Sequence, residues 1–194
     1  MMKLTIGNTN AFLLPGRDGA LLIDTGYAGT LPAFWKAIKA AGVRAKDIAF
    51  VLATHYHPDH IGLIPDLMKQ GARLLLMDTQ TDAVHDSDRI FAREPGLNWQ
   101  PIPDGEAVVL SCSDSRDFLL RFGIAGEIVS TPSHSRDSVS VLLDGGDCFV
   151  GDLERRAVLE GYDENPLLQR DWETVMARHP KRIFYAHGRE MTVF

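Results

Sequence analysis

The chain has 194 residues, 45% of them apolar and 24% charged, with a formal net charge of −6. That length suits one domain with a sizeable core. An acidic balance without a Lys/Arg run excludes the basic footprint of a nucleic-acid binder, and no apolar segment reaches the roughly twenty residues of a membrane span. The opening Met1-Met2-Lys3-Leu4-Thr5-Ile6-Gly7 lacks a signal peptide's apolar stretch, and Cys112 and Cys148 are too few and too isolated for a disulfide framework. The expected setting is therefore cytoplasmic, with reduced thiols, a small-molecule substrate, and neither nucleic acid nor a membrane as partner. A homodimer is left open.

In chain order, residues 4–14 are apolar around Gly7-Asn8-Thr9-Asn10 and predict two short strands. After the turn at 15–19, residues 20–23 form a strand ending at Asp24-Thr25-Gly26. Residues 30–41 place Leu31, Phe34, Trp35, Ile38 and Ala41 on one face, an amphipathic helix closed by Gly42. A strand over 47–53 leads into Thr54-His55-Tyr56-His57-Pro58-Asp59-His60, and Ile61, Leu63, Ile64, Leu67 and Met68 predict one helix over 61–70, stopped by Gly71. Next come a strand over 73–77, a short helix over 79–85, and a charged stretch of weak periodicity over 87–98, read as a loop or lid. Residues 99–103 and 107–110 predict short strands, and 115–123 carries Phe118, Leu119 and Phe122 at helix-like spacing. A strand over 127–130 delivers His134. Strands over 138–143 and 148–150 turn at Asp144-Gly145-Gly146-Asp147 and run into Gly151-Asp152. A polar irregular stretch, 153–166, precedes a helix over 167–179, and the last strand, 182–186, opens onto His187-Gly188. This order is satisfied by two sheets packed face to face with helices on both outer faces.

The densest chemistry is the 55–60 stretch, where three imidazoles and a carboxylate fall within six positions. Neutral imidazole nitrogen and carboxylate oxygen suit zinc, and His55 and His57, two apart on an extended segment, can point the same way and grip one ion. Asp59 and His60, at the turn into the helix, suit a second ion. Three further candidate donors, His134, Asp152 and His187, each follow a predicted strand.

The pattern His55-x-His57-x-Asp59-His60 resembles the signature of the metallo-β-lactamase-fold superfamily, most of whose members are dinuclear metallohydrolases. The resemblance implies an α/β fold, a four-layer αββα sandwich of two mixed sheets flanked by helices, in a single domain over 1–194. It implies that one ion takes His55, His57 and His134, that the other takes Asp59, His60 and His187, and that Asp152 bridges them. Asp24 then orients a metal-bound histidine or the loop, although alone it also reads as a turn-forming residue. A hydroxide bridging two divalent ions would be the nucleophile, with Asp59 orienting it and later passing on a proton. Zinc leads, with iron or manganese also suited.

Two departures narrow the expectation. Ser135-Arg136-Asp137-Ser138 follows His134 where relatives often have glycines, and Asp152 stands where secreted β-lactamases commonly use cysteine. The second departure resembles the thioesterase and lactonase branches. The glutathione-binding helical domain of glyoxalase II would have to follow His187, where the sequence has few residues, so glutathione thioesters are not expected. Hydrolysis of a thioester or lactone is the expected reaction. The alternatives are an iron-dependent oxygenase or oxidoreductase of the persulfide dioxygenase kind, and a β-lactam or phosphodiester hydrolase. Tyr56, Arg136, Tyr162 and Arg189 are candidate substrate contacts. Tyr56, however, would point away from His55 and His57 on an extended segment, which favours packing, and Arg189 could equally stay solvated.

Overall fold

The structure, a computed structural model, describes residues 1–97, 99–160 and 165–193. Its architecture follows from period-two alternation along the strands. In β2 (Thr9–Gly16) Phe12 and Leu14 face one way and Leu13 the other; in β3 (Gly19–Ile23) Leu21 and Ile23 oppose Leu22. β4 (Ile48–Leu52) and β5 (Arg73–Met77) repeat the pattern, so this sheet is apolar on both faces. With β1 (Met2–Ile6) and β6 (Val108–Leu110) it forms a six-stranded sheet in the order β1-β2-β3-β4-β5-β6. Strands β1 to β3 pair antiparallel, and β3 to β6 pair parallel.

The second sheet has the order β11-β10-β9-β8-β7, from β7 (Gly126–Ser130), β8 (Val139–Leu143), β9 (Asp147–Phe149), β10 (Arg182–Phe184) and β11 (Met191–Thr192). Phe12, Phe149 and Phe184 meet between the sheets with ring centroids 4.9–5.5 Å apart. Outside the first sheet, α1 (Leu31–Ala40) and α3 (Ile64–Lys69) bury Phe34, Ile38, Ile64 and Leu67. Outside the second, α6 (Pro166–Met176) buries Leu168, Trp172 and Val175 against Leu142, Cys148 and Ile183. A further helix, α5 (Ser115–Phe122), adds Leu119 and Phe122 to the core between the sheets. The result is the four-layer αββα arrangement implied by the sequence. Among the described residues no helix is long and apolar enough to cross a membrane.

Three sequence expectations need correction, and one strand went unanticipated. The single helix over 61–70 is broken into α2 (Pro58–Ile61) and α3, so Asp59 and His60 lie inside a short helix rather than in a turn before it. The break arises because the chain here packs on the loop after β3. The N–H of Gly62 donates to Gly26 O (2.9 Å), the N–H of Leu63 donates to Thr25 Oγ1 (3.1 Å), and a Cβ on Gly62 would stand 2.0 Å from Ala28 N. Residues 99–103 form no strand, because Pro101 and Pro103 remove the donors a ladder needs; Ile102 is instead buried in the outer core.

The stretch 87–98 contains α4 (Asp88–Phe91) and a 3₁₀ turn, Pro95–Leu97. Phe91 is buried and stacks on Trp99 at 4.2 Å, which anchors the segment; Asn98 lies outside the described residues. Finally, β11, only two residues long, carries no signal a sequence pattern can register.

Substituting Gly62→Ala should force these backbones apart and lower stability by about 1–3 kcal/mol. Urea unfolding would show a reduced midpoint with an unchanged slope.

Candidate metal centre

Strands β3, β4, β5 and β6 run parallel, as do β9 and β10, and β7 runs antiparallel to β8, which in turn runs antiparallel to β9. The carboxyl ends of the functional strands therefore gather on one rim, where open α/β sheets place their ligands. Asp24 follows β3, His55 and His57 follow β4, His134 follows β7, Asp152 follows β9 and His187 follows β10. Pro58 opens α2 directly after His57 and puts Asp59 and His60 in its single turn.

The structure brings all seven predicted donors together. Ligand atoms of His55, His57 and His134 lie within 4.8 Å of one another, as do those of His55, His60 and Asp152, and those of Asp59, His60 and His187. His57 Nδ1 stands 3.0 Å from His55 Nε2 and 3.2 Å from His134 Nε2, and His187 Nε2 stands 3.0 Å from Asp59 Oδ2. Two donors about 2.1 Å from a tetrahedral ion are roughly 3.4 Å apart, so these spacings fit. His60 Nε2 and Asp152 Oδ1 are buried and make no hydrogen bond among the described residues, which is costly unless a cation satisfies them. The donor set and the orphaned atoms both fit divalent metal.

The electrostatics agree. Burial first, then the neighbouring imidazoles, hold His55 far below the usual histidine range, so it offers a neutral lone pair. Burial also disfavours a charged His60, but the carboxylates of Asp24 and Asp152 outweigh it and push its pKa up to about 10. A metal ion at Nε2 would take the place of that proton. Burial alone would raise Asp152, yet His60, His187 and His134 hold it below the ordinary carboxylate range. His55 and His60 form a buried floor, while His57, Asp59, His134, Asp152 and His187 are partly or largely exposed.

Each imidazole is aimed by what its other nitrogen meets. Asp24, 1% exposed, lies 3.1 Å from His60 Nδ1 and also accepts from Thr54 N–H (2.8 Å) and from the Thr54 hydroxyl (3.0 and 3.1 Å). His187 Nδ1 is 2.9 Å from Asn8 O, so its N–H can donate there and leave Nε2 facing the cluster. Asn10 Nδ2 donates to Tyr185 O (3.2 Å) and Gly188 O (2.9 Å), holding the His187 loop from both sides. Gly151 has φ +56°, and a Cβ there would stand 2.4 Å from Thr54 Oγ1, so only glycine lets the Asp152 loop close on the histidine loop.

The proposed substrate contacts are more scattered. Tyr56 is 2% exposed and packs in the outer core, as the alternation of side chains along an extended segment leads one to expect, and it also borders the cavity beside Arg136. Arg136 is exposed beside a cavity of about 370 Å³ that reaches His57, and it donates to Asp86 Oδ2 (2.8 Å) and Asp82 O (3.1 Å). Arg189 is exposed and forms no ion pair among the described residues. Tyr162 lies outside the described residues. Sequence reasoning missed Asn8, Asn10 and Thr54. The polar interruption of the first strand pair, 7–10, was the one signal pointing to the first two.

The family profile described as the Metallo-beta-lactamase superfamily matches residues 4–187. The chain belongs to this superfamily. Among curated relatives, an atrochrysone carboxyl ACP thioesterase of Aspergillus fumigatus is 29% identical over 153 residues, covering 77% of this chain and 30% of that protein. A lactamase-like protein of Aspergillus niger is 30% identical over 156 residues, covering 77% of this chain and 40% of its own. The chain thus spans well under half the length of these superfamily relatives. Among solved structures, TTHA1623 in a di-iron-bound form superposes with TM-score 0.71 at 23% identity, covering 99% of this chain and 94% of that one. The BLEG-1 B3 metallo-beta-lactamase superposes with TM-score 0.69 at 24% identity, covering 98% and 93%. These likenesses establish the shared superfamily fold.

Replacing Asp24 by alanine should weaken metal binding about 10–100-fold, because His60 and the Thr54 N–H lose their common acceptor. Competition against a chromophoric chelator would read the change.

Proposed function

We propose that this chain is a metal-dependent hydrolase that holds two divalent ions and cleaves a small ester-like bond, a thioester first and a lactone second. The observation that carries this reading is the placement of Asp152. Its Oδ2 lies 3.4 Å from His60 Nε2, 3.8 Å from His134 Nε2 and 3.9 Å from His55 Nε2, while its Oδ1 lies 3.4 Å from His187 Nε2. One carboxylate therefore faces both groups of donors. His55, His57 and His134 would hold one ion, and Asp59, His60 and His187 the other, with Asp152 between them.

When bound, such ions polarise a carbonyl oxygen and acidify a water molecule enough for it to ionise near neutral pH. The nitrogen- and oxygen-rich shell suits zinc, and also iron or manganese. Asp59, partly exposed and 3.8 Å from His60 Nε2, is placed to accept a hydrogen bond from the attacking water and to pass its proton to the leaving group. Because His55 and His60 close the floor, substrate reaches the reacting centre from the side of His57 and His134. The thioester preference draws on the relative named a thioesterase and on aspartate rather than cysteine at position 152. A small-molecule substrate in a reducing, cytoplasmic setting is part of the same reading, and Cys112 and Cys148, both free, are compatible with it.

Elemental analysis of freshly purified protein, followed by rates on thioesters, lactones, phosphodiesters and β-lactams, tests the proposal. The expected result is two equivalents of metal and fastest turnover on a thioester or lactone, with Asp59→Asn lowering kcat by about 10²–10⁴-fold. Iron in the purified protein, together with oxygen uptake on a thiol substrate, would replace hydrolysis by an oxidoreductase reading.

A further inference from the structure

The loops that carry His55, His57 and His134 come from different sheets, and two buried side chains tie them together. Gln80, in the 3₁₀ helix Asp78–Ala83 after β5, is 0% exposed. Its Nε2 donates to Ala53 O at 3.0 Å, one residue before the histidine loop begins at Thr54, and to Asp137 O at 3.1 Å, three residues beyond His134. Its Oε1 accepts from Met77 N–H at 3.2 Å, which anchors the amide to the end of β5. Asp137, 5% exposed, completes the link, because its Oδ2 accepts the N–H of Tyr56, the residue between His55 and His57, at 2.7 Å. One backbone bond, Val139 N–H to Thr54 O at 2.8 Å, runs alongside.

The other donors lean on different supports. His60 rests on Asp24, His187 on the Asn8 carbonyl, and the carbonyl of Asp59 accepts from the Thr9 hydroxyl at 3.0 Å. Gln80 and Asp137 bond none of these groups directly, and Gln80 approaches them only through the Thr54 carbonyl, 3.5 Å from its Nε2. The two halves of the centre meet at Thr54, whose hydroxyl lies 3.3 Å from His55 Nδ1 and 3.4 Å from His60 Nδ1, and otherwise rest on different polar groups, so removing Gln80 or Asp137 acts first on the half they hold.

We propose that Gln80 and Asp137 are positioning residues that set the spacing of His55, His57 and His134, and so fix the affinity and coordination geometry of the ion held by those three histidines far more than those of the other ion. This rests on the two-ion reading above. A side chain that merely satisfied loop carbonyls would affect overall stability and both ions alike. A clamp on the histidine spacing affects one ion selectively.

Cobalt(II) titration of the full chain, followed by visible absorption, separates the two. In the native protein two equivalents should bind. Gln80→Met keeps the volume but removes the amide, and it should weaken one equivalent by about 10–100-fold and alter its absorption band, leaving the other within about twofold. Asp137→Ala should behave the same way, and Asp137→Asn, which keeps an oxygen for the Tyr56 N–H, should restore native binding. The clamp is overturned if the Gln80→Met and Asp137→Ala chains bind both equivalents as the native chain does, or lose both together. It is equally overturned if Asp137→Asn is as impaired as Asp137→Ala. A native chain that takes one equivalent overturns the two-ion reading instead. The clamp then stands if Gln80→Met weakens that ion, and falls if it does not. Circular dichroism of each metal-free variant identifies any that has not folded, and Asp137→Asn, a change of one atom within the same contact, keeps the comparison decisive.

Discussion

The centre depends on a single buried carboxylate. Asp24 is almost wholly enclosed, and an uncompensated charge there would be strongly destabilising. The compensation is Thr54 N–H, the Thr54 hydroxyl and His60 Nδ1, all belonging to the stretch that carries the clustered histidines. One interaction thus solves two problems, neutralising Asp24 and fixing the direction in which His60 faces. Asp24 also adopts φ +60°, a left-handed conformation that aspartate tolerates better than most residues, and this turns its side chain back beneath the loop. Breaking the contact leaves a buried carboxylate and a misaimed imidazole together, which is why the loop and the strand before Asp24 behave as one unit.

From that contact outward the geometry is set by rigid elements. The parallel strands deliver their carboxyl ends to one rim, and the antiparallel hairpins close the sheets on either side. The His187 loop comes from the second sheet but is held by Asn10 and by the Asn8 carbonyl of the first, so the rim spans both layers. Residues held on strand ends lose little further freedom when a ligand arrives, and a site built this way is preorganised. The same rigidity makes the donor atoms crowd one another. The imidazole nitrogens crowd to 3.0–3.2 Å, and burial, with the neighbouring imidazoles behind it, holds His55 far below the usual histidine range. A divalent cation among these donors would relieve the crowding and would couple metal binding to the stability of the fold.

The sequence makes plain what is local and hides what is tertiary. The histidine loop is legible because its donors lie within six positions after an apolar strand, and His134, Asp152 and His187 because each follows a strand run of its own. The order of strands and helices also points to two packed sheets with helices on both outer faces, hence the four layers. The break between α2 and α3 is invisible, because Ile61, Leu63, Ile64, Leu67 and Met68 keep helical spacing across it. The close packing of Gly62 on the loop after β3, with its bond to Gly26 and that of Leu63 to Thr25, ends the first helix. Asn10, Gln80 and Asp137 are hidden for a related reason. Each bonds backbone groups brought close by the fold, and a single Asn, Gln or Asp in a turn region has too many ordinary uses to signal that. The period-two argument was nevertheless enough to set Tyr56 in the core, between two donors that face the other way.

Position 151 shows how a small residue governs a charged neighbour. The backbone after β9 must approach Thr54 closely for the Asp152 carboxylate to stand between the two groups of donors. Any side chain at 151 would meet the same Thr54 hydroxyl that Asp24 engages, and would push the β9 loop outward or the histidine loop off its acceptor. Asp152 and Asp24 lie on different sheets, yet their placements are linked through that one hydroxyl. Placing a carboxylate between two groups of donors therefore depends less on the carboxylate than on the glycine before it, which lets two loops share a single point of contact.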